Sequence, residues 1–129
     1  MQADPSQPLL VVEGLKTYFS LEGATVHAVD GVSFQLDQGE ALGIAGESGC
    51  GKTTTALSLV RLLPGNARIE EGSIRYFGID LVPKSDNALR RYRWREISIV
   101  FQGAMNALNP VHRLRDQIAE PLMERLNMS

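Results

Sequence analysis

Residues 46–53 read GESGCGKT, so Gly46, Gly51, Lys52 and Thr53 meet the pattern G-x-x-x-x-G-K-[ST]. The chemistry open to such a run is the holding of a polyphosphate. Successive backbone N–H groups at the start of a helix meet concentrated negative charge with fixed dipoles. Gly46, Gly49 and Gly51 allow unusual dihedrals and a close approach of the chain. Lys52 offers a point charge to β- and γ-phosphates, Thr53 a hydroxyl to Mg²⁺, and Thr54 a further donor to the α-phosphate. The candidate nucleotide site is therefore the whole run of Gly46, Glu47, Ser48, Gly49, Cys50, Gly51, Lys52, Thr53 and Thr54. With glycine at about 7% of average composition, the four fixed positions coincide by accident in about one chain in several hundred of this length. The competing reading is a glycine-rich turn capped by Thr53 or Thr54, with an incidental lysine. Cys50 has two readings as well. A helix start lowers a thiol pKa and makes it reactive, whereas a lone cysteine without a partner is more often a tolerated small residue.

The motif needs a strand before it and a helix after it, and both are legible. Residues 41–45 (ALGIA) are apolar and bounded by Gly39 and Gly46, the pattern of a strand buried on both faces of a parallel sheet. Residues 53–63 are good helix formers with Ala56, Leu57, Val60 and Leu63 on one stripe, and Pro64-Gly65 is the stop signal. Upstream, residues 1–8 read as a loose leader, residues 9–12 as a strand, Glu22-Gly23 as a turn, residues 26–36 as a further strand, and residues 37–39 as a turn. Downstream, residues 71–78 read as a strand and turn, residues 86–95 as a charged helix, and residues 97–101 as a second buried strand. Residues 102–110 read as a polar loop. Leu114, Ile118, Leu122 and Leu126 recur every four residues as an amphipathic helix, which Pro121 either kinks or restarts.

Bulk properties narrow the class. The chain has 129 residues, 43% apolar and 22% charged, which suits one soluble globular domain rather than disorder. The net charge of −2 argues against a nucleic-acid binder held by a basic field, and Arg90, Arg91, Arg93 and Arg95 read as a solvated helix face or protein contact. One cysteine allows no internal disulfide, and no Cys/His cluster has zinc spacing. The N-terminus lacks a signal-peptide pattern, and no apolar run approaches the ~20 residues that span a bilayer. Any membrane link is expected through a partner protein.

Several stretches together resemble the ATP-binding subunits of ABC transporters, most closely those of oligopeptide, dipeptide and nickel importers. They are LKTYF at 15–19, AVDGVSF at 28–34, GESGCGKT at 46–53, IVFQGAMNALNP at 99–110 and DQIAEPL at 116–122. The resemblance implies ATP and Mg²⁺ as cofactors and an aromatic residue that stacks on adenine. Counting from Leu15, Phe19 matches that position best, and Tyr18 is the alternative; core packing is the bland role for either. It also implies that Gln102 is the Q-loop glutamine, a catalytic residue beside Lys52 and an Mg²⁺ contact beside Thr53. The implied partners are membrane-spanning permease subunits, a second ATP-binding subunit and, indirectly, an extracytoplasmic solute-binding protein, with no nucleic acid. The implied place is the cytoplasmic face of the plasma (inner) membrane.

The family's other motifs are missing. No LSGGQ-like signature, Walker B strand with its catalytic Glu, or switch histidine is present. Ile79-Asp80 lacks the apolar run of a Walker B strand, and His27 and His112 read as surface residues. The expected fold is α/β: a P-loop core with an N-terminal antiparallel β portion, cut before the helical subdomain is complete. The expected organisation is a leader at 1–8, a nucleotide-binding core at 9–102 and the start of a helical subdomain at 103–129. The expected function is ATP-driven import of peptides or nickel, with the isolated chain unable to hydrolyse ATP and marginally stable. Competing readings are a P-loop kinase or GTPase, although no N-K-x-D stretch is present, and a non-catalytic nucleotide-binding fragment.

Overall fold

Leu10–Leu21 forms β1 and Ala24–Leu36 forms β2, joined by the turn at Glu22-Gly23. The computed structural model describes residues 7–93, 95–103 and 108–126, with backbone alone for 124–126. Residues 1–6 of the expected leader thus lie outside the described residues. The chain falls into two compact units, Met1–Lys84 and Ser85–Ser129.

In the first unit Ala67–Tyr76 forms β3 and Ile79–Asp80 forms β4. The sheet order is β2-β1-β3-β4, with every neighbouring pair antiparallel. The expected antiparallel β portion is present, in an α/β fold. β1 runs nine residues past the 9–12 expectation, because a bulge reconciles its broken alternation. Val12 faces Phe34 and Leu15 faces Val32, so three steps on β1 meet two on β2. The extra residue keeps Val12, Leu15 and Thr17 all buried, where strict alternation would turn Val12 away from the other two. Gly72 of β3 accommodates this bulge. Its φ is +96°, and a Cβ there would stand 2.6 Å from the Gly14 carbonyl oxygen.

The helix α1, Lys52–Leu59, packs on β1 and β2. The core of this unit is built from Val12, Leu15, Val29, Val60, Ile74, Tyr76 and Leu81. Three polar side chains, Thr17, Thr55 and Ser58, are buried with them. Thr17 Oγ1 and Ser58 Oγ lie 2.9 Å apart, and Ser58 Oγ also donates to the Thr54 carbonyl at 2.7 Å. The buried helix face therefore carries Thr55, Ser58 and Val60, not the full stripe of Ala56, Leu57, Val60 and Leu63. Paired hydroxyls satisfy each other there, so hydrophobicity alone misplaces the face.

α1 also ends earlier than expected. Arg61 has φ +55°, its N–H bonds the Ser58 carbonyl at 3.0 Å, and the Leu62 N–H bonds the Leu57 carbonyl at 2.9 Å. These two bonds form a Schellman ending, usually closed by glycine. Arginine is held in this left-handed conformation because its guanidinium donates to the Leu81 carbonyl at 3.3 Å and to the Val82 carbonyl. The stop thus lies at Arg61 rather than at Pro64-Gly65. Asp80 closes the next hairpin, accepting from the N–H groups of Val82 at 3.0 Å and Ile74 at 3.3 Å.

The two apolar runs expected as buried strands are not strands. Residues 41–45 carry no ladder, and Leu42 and Ile44 are exposed. Residues 97–101 make one isolated bridge, Arg93 to Ile97, and Val100 is 89% exposed. A strand of a parallel sheet needs neighbours for its backbone and layers over its faces. Among the described residues neither run has a partner strand.

In the second unit, the charged segment at 86–95 is helical only over Asp86–Leu89, which forms α2; Trp94 lies outside the described residues. Ser85 caps α2, accepting from the Ala88 N–H at 3.3 Å, and Arg93 pairs with Asp86 at 2.7 Å. The arginine-bearing segment is thus partly tied up in local contacts. The helix α3, Leu114–Leu126, runs unbroken through Pro121. Leu114, Ile118 and Leu122 of its expected stripe are exposed. Gln117 ties the preceding loop to α3: its Nε2 donates to the carbonyls of Asn109 at 2.9 Å and His112 at 3.0 Å, and its Oε1 accepts from the Asn109 N–H at 2.7 Å. No helix among the described residues is long and apolar enough to cross a membrane.

Arg61→Ala leaves a strained backbone without its compensating bonds and costs about 1–3 kcal/mol, read as a shift in the urea midpoint. Arg61→Gly loses the same bonds but relieves the strain, and it is the more stable of the two variants by about 1 kcal/mol.

Candidate functional site

The chain leaves β2 through the turn at residues 38–39 and runs without regular structure to a turn at residues 48–49, just ahead of α1. The Cys50 N–H donates to the Glu47 carbonyl at 3.3 Å and tightens the loop. Gly51 is the N-cap of α1, with φ +93°, and no side chain caps the helix. A helix whose first N–H groups lack side-chain acceptors presents them to any anion at its mouth.

Lys52 bends back over this mouth. Its Nζ donates to the carbonyls of Gly46 and Glu47, each at 2.6 Å, and lies 3.4 Å from Cys50 Sγ. Glu47, Ser48, Gly49, Cys50 and Thr53 are exposed around it, and Thr54 is half-buried. Thr55, one turn in, is committed to structure: its hydroxyl donates to the Gly51 carbonyl at 3.0 Å. A Cβ on Gly46 would stand 2.5 Å from Cys50 Sγ, so glycine is what lets the loop close this tightly.

The residues of 46–54 thus converge on one rim, and their donors fit a polyphosphate: an ammonium, uncapped helix N–H groups and solvent-facing hydroxyls. Among the described residues no group of three or more His, Cys, Asp or Glu could hold a metal unaided. Mg²⁺ needs only one or two protein oxygens when phosphate and water complete its shell. The exposed Thr53 hydroxyl is a donor of that kind.

The loop is seated on β2. A Cβ on Gly51 would collide with the Ala28 carbonyl oxygen and stand 3.8 Å from Val29 Cγ2. This seat is not readable from the loop sequence. Its one advance sign is Val29, which belongs to the apolar alternation of β2 and is 3% exposed.

Tyr18 and Phe19 are separated by the sheet. Pairing of β1 with β3 is regular from Thr17 to Phe19, so Phe19 shares the face of Thr17, the face on which α1 packs, and Tyr18 points to the other. Tyr18 is engaged there. Its ring stacks on His27 with centroids 3.8 Å apart and planes 7° apart, and its hydroxyl donates to Asp30 Oδ1 at 2.8 Å. Gln102 lies exposed in a turn of the second unit. Residues 104–107 of the stretch that follows it lie outside the described residues.

The hydrogen bond from Tyr18, then the charge of His27 and Lys16, hold the Asp30 carboxyl below its ordinary value; the same bond holds the Tyr18 phenol above its own. Lys16 is raised by its bond to, and the charge of, Glu71, 2.8 Å away. For Asp30 a lowered folded-state pKa means a contribution to stability present above the ordinary carboxylate range and lost as pH falls through the lowered value. An NMR titration of Tyr18→Phe is expected to show the Asp30 carboxyl moving back up toward its ordinary value, and the part of the stability that Asp30 loses in acid becoming smaller.

Residues 29–129 match the ABC transporter family. The chain is similar to the dipeptide transport ATP-binding protein DppD of Bacillus subtilis, with 43% identity over 95% of this chain and 37% of the relative. It is 44% identical to the oligopeptide transport ATP-binding protein OppD of Mycobacterium bovis over 89% of this chain and 19% of the relative. It is 43% identical to the peptidoglycan transport ATP-binding protein YejF of Agrobacterium fabrum over 95% of this chain and 22% of the relative. The chain therefore spans well under half the length of these curated relatives.

Proposed function

This chain belongs to the ABC transporter family, and on that premise we propose that it supplies the phosphate-binding part of the ATP-binding subunit of an importer of peptides. The observation that carries the reading is the loop itself: Lys52 drawn across the uncapped start of α1, its ammonium on the carbonyls of Gly46 and Glu47 and beside Cys50 Sγ. Peptides are favoured over nickel as cargo because the names of DppD and OppD specify them.

In this reading Lys52 leaves the Gly46 and Glu47 carbonyls and takes up phosphate oxygens. The first N–H groups of α1 hold the rest of the charge. Thr53 would offer its hydroxyl as an oxygen ligand to the metal, and Gln102 is the further residue that would contact the metal or the attacking water. Mg²⁺, when bound, offsets the charge that accumulates on the phosphate oxygens. Phe19 rather than Tyr18 stacks on adenine, since it lies on the face shared with α1 while Tyr18 is engaged by His27 and Asp30. Residues 9–102 act as the nucleotide-binding core and 103–129 as the start of the helical subdomain. The partners are permease subunits, which place the protein at the cytoplasmic face of the membrane, and a second ATP-binding subunit. Hydrolysis needs groups that this stretch does not carry, because the sequence holds neither an LSGGQ-like signature nor an apolar run ending in paired acids.

Titration of the 129-residue chain with Mg²⁺-ATP is expected to show binding that Lys52→Ala weakens at least about tenfold, the scale of one charge-assisted phosphate contact. Phosphate release stays at the buffer rate in both. Equal binding by wild type and Lys52→Ala would sink the reading, and Lys52-dependent turnover would sink the claim of inactivity. Phe19→Ala is expected to weaken ATP about three- to tenfold while leaving inorganic tripolyphosphate unchanged; Tyr18→Ala showing that selective loss instead would reverse the assignment.

A further inference from the structure

The seat of the phosphate loop on β2 is an irregularity of the sheet. Thr17 pairs with Val29 and Tyr18 with His27, so Ala28 is an extra residue, bulged out of the ladder between β1 and β2. The carbonyl of that same residue is the atom against which Gly51 rests. A bulge in an exposed edge strand holds its place only if its neighbours fix the register. Three side chains do so here. His27 precedes the bulge and stacks on Tyr18, and Asp30 follows it and accepts from the Tyr18 hydroxyl at 2.8 Å. Asp30 Oδ2 also lies 3.7 Å from His27 Nδ1, closing the bracket along β2. The hydrogen bonds, ion pair and ring contact of the three run among themselves and not to the loop.

We propose that Tyr18, His27 and Asp30 are positioning residues for phosphate binding: they bracket the Ala28 bulge and so fix the surface on which Gly51 and the start of α1 sit. The loop has no second anchor of this kind at its N-terminal side, where residues 41–45 form no ladder. A one-residue migration of the bulge would replace the Ala28 carbonyl beneath Gly51 with a different backbone group. Because Gly51 is the N-cap, the direction of the first N–H groups of α1 follows from that contact.

The inference rests on the loop being the nucleotide site, and the experiment separates the two. Binding of Mg²⁺-ATP and of inorganic tripolyphosphate is measured for the whole chain and for His27→Ala, His27→Phe, Tyr18→Phe and Thr25→Ala, with Lys52→Ala as reference. His27→Ala is expected to weaken both ligands about three- to tenfold, the range of one lost aromatic pair, and to shift the Gly51 amide resonance. His27→Phe keeps a ring over Tyr18 and restores both. Tyr18→Phe keeps the stack, loses one bond, and falls between. Thr25→Ala lies on the same strand outside the bracket and leaves affinity unchanged. A merely structural role would lower the melting midpoint without this pattern of rescue. Wild-type affinity and an unmoved Gly51 resonance in Tyr18→Phe or His27→Ala overturn the proposal, as does His27→Phe binding no better than His27→Ala. If Lys52→Ala binds as well as wild type, the nucleotide reading falls, and this inference with it.

Discussion

One backbone contact organises the first unit: Gly51 laid against the carbonyl of Ala28. No side chain larger than hydrogen fits, and the local φ is one that L-residues avoid. The contact joins the start of α1 to the edge strand of an antiparallel sheet. Ser58, two turns along the helix, makes the second junction through Thr17. Between these two points α1 has little freedom to slide or rotate. The helix start is thereby aimed by the sheet rather than by its own short length, which by itself would be too little to form in water.

The candidate phosphate loop stands out in the sequence because the chemistry proposed for it is written in residue types. Charge, hydroxyl and glycine must occur at fixed spacing, and Gly46, Gly51, Lys52 and Thr53 do. The antiparallel β portion was legible through its turns, Glu22-Gly23 above all. Less visible were the features in which one element answers another. The bulges at Gly14 and Ala28 break the period of two, and they do so to serve contacts that only the fold reveals. The buried pair Thr17 and Ser58 looks polar to any hydropathy reading, and it is apolar in effect because each hydroxyl bonds the other. Arg61 carries no signature of a helix end, since its left-handed conformation is tolerated only through the carbonyls of Leu81 and Val82.

The two apolar runs at 41–45 and 97–101 teach a related lesson. Composition reports what a segment would bury, whereas a ladder reports what it has been offered. Both runs have the composition of inner strands of a parallel sheet, and neither meets a partner among the described residues. Their exposed side chains, Leu42, Ile44, Val100 and Phe101, are the kind of surface that promotes association in solution. The match to the ABC transporter family covers both runs.

The posture of Lys52 has a thermodynamic consequence. Its ammonium is not waiting in solvent; it already holds two carbonyl oxygens at short range. On the proposed reading, taking up an anion would be an exchange of acceptors, and the heat released would be a difference between two sets of bonds rather than the full value of the new set. The same ammonium draws together the Gly46 and Glu47 carbonyls, which would otherwise lie side by side without a counter-charge. On the proposed reading, a loop closed on its own carbonyls and a loop closed on phosphate would be two solutions to the same electrostatic problem, with one cation serving both.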